Sequence, residues 1–122
     1  MADIPVTLRG ERYLMRPTYG AMREIEQGLG LALLEVYELA LRGCLGVREL
    51  ALIVFHATHA AGEKFDSIDA VGRSVFEAPV TSAALRESIV RFIIACLWSP
   101  EEAKKKWEEA APMVLPPPAA GG

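Results

Sequence analysis

Val47-Arg48-Glu49-Leu50-Ala51-Leu52-Ile53-Val54-Phe55-His56-Ala57-Thr58-His59-Ala60 decides the fold class of this chain. Val47, Leu50, Ile53, Val54 and Ala57 recur at helical spacing and make one apolar face. Leu52 and Phe55 carry that face further around the cylinder. A helix so widely apolar needs cover on several sides, so it stands at the centre of its own domain or against a neighbouring subunit.

Downstream, Gly62-Glu63-Lys64-Phe65-Asp66 reads as a loop, and Ser67 as the N-cap of a short helix through Ile68, Val71 and Val75 that Pro79 ends. A fifth helix, Thr81 to Trp98, puts Leu85, Ile89, Phe92, Ile93 and Cys96 on one face and pairs Glu87 with Arg91 on the other. It is expected to pack beside the third helix. Ser99-Pro100-Glu101-Glu102 then has Ser at the cap, Pro at the first helical position and Glu at the third, a capping box. The sixth helix it opens carries the narrow stripe Ala103, Trp107 and Ala110 on an otherwise solvated surface. From Pro112 to Gly122 the chain is expected to be a disordered tail, since its segment Pro116-Pro117-Pro118-Ala119-Ala120-Gly121-Gly122 has nothing to pack.

Upstream, Ile4, Val6 and Leu8 alternate with polar or small residues, and Arg12 to Arg16 is a second strand-length run. Gly10 supplies the positive φ of a tight turn, so residues 4–16 read as a β-hairpin with Arg9, Arg12 and Arg16 on its wet side. Thr18 caps a first helix over Tyr19 to Gln27 that Gly28 stops, and a second helix from Leu31 to Arg42 is closed by Gly43. The fold class is therefore mainly α: an N-terminal β-hairpin followed by a compact bundle of five to six helices, one domain over residues 1–111.

Composition narrows the function classes. Lys and Arg number 13 against 16 Asp and Glu, a net charge of −3, the wrong sign for a protein that neutralises phosphates; no nucleic-acid partner is expected. Aromatic residues are 7% of the chain, too few for base-stacking platforms. Apolar residues are 52%, yet no run approaches the roughly 20 needed to cross a bilayer, and no basic-then-apolar leader is visible, so the expected location is the cytoplasm, away from membranes. Cys44 and Cys96 lie in apolar surroundings without CxxC spacing and are expected to be buried thiols.

Three groupings bear on chemistry. His56 and His59 are one turn apart, with Glu63 a further turn on if the helix continues, which makes them the candidate metal ligands, although a lone HxxH lacks the spacing that defines a zinc site. Ser67, Asp66, Asp69 and Ser74 have the residue types of a nucleophilic site without any nucleophile elbow, and helix capping explains them. No catalytic residue and no cofactor is expected. Leu52, Phe55, Trp98 and Trp107 are the candidate protein-binding residues, large apolar side chains at the margins of core-forming faces.

Several stretches together carry a resemblance: Leu14-Met15-Arg16-Pro17-Thr18-Tyr19-Gly20-Ala21-Met22-Arg23-Glu24-Ile25-Glu26 after the hairpin, the Gly28-Leu29-Gly30 joint, Val47-Arg48-Glu49-Leu50, Ala60-Ala61-Gly62, and Ile94-Ala95-Cys96-Leu97-Trp98-Ser99-Pro100-Glu101-Glu102. Over residues 4–102 the chain resembles the small tail proteins of gene transfer agents and related tailed phages, which are classed with tail assembly chaperones. The Lys-rich sixth helix and the Pro-rich tail have no counterpart in that pattern. The resemblance implies a self-associating protein in the host cytoplasm that binds the tape-measure protein and keeps it soluble while the tail polymerises. Its alternative is a subunit retained in the tail tube.

Overall fold

The computed structural model describes residues 3–77 and 83–115. The chain is mainly helical, with elements in the order β1 (Ile4–Leu8), β2 (Glu11–Met15), α1 (Tyr19–Leu29), α2 (Leu33–Leu41), α3 (Val47–Ala60), α4 (Ile68–Glu77), α5 (Ala83–Leu97) and α6 (Pro100–Val114). Among the described residues, none of these helices is long and apolar enough to cross a membrane.

Arg9 and Gly10 both adopt positive φ, 53° and 80°, the two-residue turn whose twist matches paired strands. Antiparallel pairing in the register Ile4↔Met15, Val6↔Tyr13 and Leu8↔Glu11 puts Val6, Leu8 and Met15 into the core and leaves Arg9, Arg12 and Arg16 exposed, as expected. The hairpin is a wedge: β1 packs on α5 and β2 on α3. This geometry corrects one expectation. α5 packs mainly on α2, α6 and β1 and touches α3 only lightly, because the hairpin stands between the two helices. A backbone bond helps hold the wedge. The last turn of α3 tightens, with the Ala61 N–H donating to the Thr58 carbonyl at 3.0 Å, and the carbonyl of Ala57 instead accepts from the Arg16 N–H at 2.9 Å.

α3 is covered by its own domain. Leu50, Ala51, Leu52, Ile53, Val54 and Ala57 are all buried, enclosed by α1, α4 and β2. Gly28 does not stop α1. The Thr18 hydroxyl caps the helix by accepting from the Ala21 N–H at 3.1 Å, and the helix runs to Leu29 before Gly30, at φ 69°, terminates it. Gly28 instead lets α1 approach α3, since a Cβ at that position would collide with the Leu52 side chain. α2 begins at Leu33, two residues later than expected. Ala32 has no capping side chain, and the Glu26 carboxylate of α1 accepts from the Leu33 N–H at 2.7 Å in its place.

The Ser67 cap is present, its hydroxyl accepting from the Ala70 N–H at 3.1 Å. The expected end of α4 at Pro79 and start of α5 at Thr81 lie outside the described residues. α6 corrects the tail boundary: the helix continues through Pro112 to Val114. Ala110 and Val114, four apart on the inner face, are 1% and 2% exposed, and that burial holds the last turn despite the N–H that proline lacks. The rest of the expected tail, residues 116–122, lies outside the described region.

Candidate functional site

The histidine cluster does not assemble. α3 ends at Ala60, the chain turns through Gly62 at φ 90°, and the Glu63 carboxylate accepts from the Leu14 N–H at 3.1 Å. His56 and His59 bracket Phe55 instead, with ring centroids 5.3 and 6.1 Å from it. Among the described residues, no three His, Cys, Asp or Glu side chains are grouped to hold a metal ion. Burial lowers the His56 pKa, opposed in part by the carboxylate of Glu24.

The cysteines divide. Cys44 is exposed, contrary to expectation, because it follows the left-handed Gly43 in the turn that closes α2, and Leu45 takes the inward position. Cys96 is largely enclosed, and burial pushes its thiol up to about 12, away from the thiolate that a nucleophile requires. The hydroxyls of Ser67 and Ser74 are engaged with the backbone of α4, Ser74 donating to the Ala70 carbonyl at 3.3 Å.

The sequence-derived binding residues fall in three places. Leu52, 6% exposed, belongs to the α1–α3 contact and is unavailable to a partner, because Gly28 lets α1 close over it. Phe55 lies apart on α3 between the histidines. Trp98 and Trp107 come together.

They border a groove of about 390 Å³ between α5 and α6, floored by Ile4, Ile94, Ala95 and Ala103 and edged by Arg91, Pro100 and Lys104. Tyr37 meets Trp98 edge-on at 5.1 Å between centroids, which sets that indole from below. Cations lie over both rings: Lys106 Nζ is 5.0 Å from the Trp98 centroid, and the Arg91 guanidinium is 4.0 Å from that of Trp107. Each cation is anchored beside its ring, Arg91 by Glu87 at 2.9 Å and Lys106 by Glu109 at 3.5 Å. Such contacts at exposed rings contribute only about 0.5–1 kcal/mol each, so a partner's apolar side chain can displace them. The chain matches no known protein-family model, no curated protein and no solved structure.

The groove's α5 side was legible but missed. Arg91, Ile94, Ala95 and Trp98 follow i, i+3, i+4, i+7 spacing, a second stripe beside the core face of Leu85, Ile89, Phe92 and Ile93. That spacing, matched to Ala103 and Trp107 on the next helix, is the signal for a two-helix groove.

Proposed function

We propose that this protein is a tail assembly chaperone that receives an amphipathic helix of the tape-measure protein in the groove between α5 and α6. The observation that carries the reading is the pairing of Trp98 and Trp107 across an open apolar groove. Indoles are the side chains that most often dominate binding energy, and a helix laying apolar residues at i, i+3, i+4 and i+7 into a groove is a standard mode of helix recognition. The resemblance to gene-transfer-agent and phage tail proteins supplies the client: a long helical chain whose apolar stripes need cover until the tube closes round it. In this reading the protein acts in the cytoplasm of the host cell during assembly, and self-association on its remaining apolar surface, including Leu34 at 53% exposed, brings several grooves to one client.

Co-expression with the tape-measure protein tests the proposal. The unmodified protein keeps the client in the soluble fraction and co-purifies with it, and Trp107→Ala, at a partly buried position on α6, retains its fold but loses the complex. Failure of the unmodified protein to capture the client refutes the reading. Quantitative mass spectrometry of finished particles separates it from the tail-subunit alternative, since a chaperone is absent or far below the copy number of the tube protein.

A further inference from the structure

We propose that a second cavity, between α2, the α2–α3 connection and α5, binds a small carboxylate with a short apolar body. Its walls are the side chains of Ala40, Leu45, Leu50 and Ile89, and its polar side is formed by Arg42, Gly43 and Arg86. The volume, about 220 Å³, is room for several water molecules or one small organic acid.

Arg86 makes the case. It reaches over from α5, and its Nη2 donates to the Leu41 carbonyl at the end of α2, at 2.8 Å, and more loosely to the Met113 carbonyl at 3.3 Å. Its Nε is buried and has no hydrogen-bond partner, the one side-chain atom among the described residues in that condition. A buried charged donor without an acceptor is costly, and a bound water, ion or ligand is among the partners that satisfy such a group. Neither Arg86 nor Arg42 is paired with a carboxylate among the described residues.

The side-on edge of a guanidinium presents the Nε and one Nη hydrogen in parallel, matched to the two oxygens of a carboxylate. On Arg86 the first is unpartnered, and the 3.3 Å contact to Met113 is the weaker of the two that Nη2 makes. In the proposed complex the carboxylate accepts from Nε and, for the paired geometry, displaces one of the two carbonyls that Nη2 now contacts. The alkyl part of the ligand then lies against Leu45, Leu50 and Ile89. A phosphate fits poorly. The nearby backbone donors are already used in the turn closing α2, the Gly43 N–H on Ala40 at 3.1 Å and the Cys44 N–H on Leu39 at 2.9 Å, so no cradle of N–H groups is left for more oxygens. Gly43, at φ 67°, forms the turn that brings the backbone beside the guanidinium, where a Cβ would be in ordinary contact with Arg86 Cζ at 3.5 Å.

The test is a chemical-shift titration of the unmodified protein with hexanoate and with hexanamide, its neutral isostere. Hexanoate is expected to bind saturably, with shifts at Arg86 and the Gly43 turn, and hexanamide at least about tenfold more weakly, the effect of losing a charged hydrogen-bonded pair. N-acetyl-leucine and its amide form a second pair that presents the same group as a peptide C-terminus. Preference for hexanoate assigns the site to free acids and preference for N-acetyl-leucine to peptide termini, and both outcomes uphold carboxylate recognition. Ala40→Leu, which fills the cavity from its α2 wall, and Arg86→Lys, which keeps the charge but loses the paired donors, should each weaken hexanoate about tenfold. Absence of binding, equal binding of acid and amide, or full hexanoate affinity in a folded Ala40→Leu variant overturns the proposal. The acid–amide comparison needs no variant, so it decides the matter even if both substitutions unfold the chain.

Discussion

Replacing Gly28 by Ala should destabilise this protein, the reverse of what the same change does in an open helix. Gly28 lies inside α1, where Ala is the better helix former by about 1 kcal/mol. The added methyl, however, meets the side chain of Leu52, which is 6% exposed on α3. Forcing a methyl into a filled contact costs about 1–3 kcal/mol, so the net effect is a loss of up to about 2 kcal/mol. Leu52→Ala alone removes most of a buried side chain and should cost about 2–5 kcal/mol. In that background the obstruction is gone and the helix preference survives, so adding Gly28→Ala should restore about 1 kcal/mol. Urea denaturation of the four proteins, followed by circular dichroism, closes this double-mutant cycle. If Gly28→Ala stabilises the unmodified chain, or acts equally in both backgrounds, the close α1–α3 contact is wrong and Leu52 returns to the list of candidate client contacts.

Two other outcomes follow from local environments. In the native protein one thiol, Cys44, should react rapidly with an aromatic disulfide reagent at neutral pH, while Cys96, pushed up to about 12 by burial, reacts only after denaturation; two equally fast thiols would contradict the packing of α5. Because burial holds the His56 pKa below its ordinary 6.5, the folded state takes up its proton less readily than the unfolded chain. The stability from neutral His56 is complete above 6.5 and is lost as pH falls through the depressed folded value, so His56→Gln should flatten the denaturation midpoint against pH over that window, and an unchanged slope would count against it.

Much of the fold was readable along the chain because the deciding interactions are local. Helical spacing in Val47–Ala60 identifies the central helix, Thr18 and Ser67 bond to N–H groups three residues on, and Gly10 sits where the hairpin turn needs positive φ. The errors concern residues whose roles depend on distant partners. Gly28 has the residue type of a helix stop but serves the contact with Leu52, and Pro112 has that of a break but lies in a helix whose last turn buries Val114. The candidate site divides the same way. Trp98 and Trp107 stand out by residue type, whereas the groove they share and the cations over their rings depend on how α5 and α6 pack.

By itself, then, the sequence determined a hairpin followed by a helical bundle with an apolar central helix, because periodicity and capping act within a few residues of each other. The tertiary structure alone decided which apolar faces were already satisfied. It wedged the hairpin between α3 and α5, buried Leu52, exposed Cys44, and left the two-tryptophan groove open. Burial is a property of the neighbours a side chain meets in space, and a single helix face cannot specify which neighbours those are.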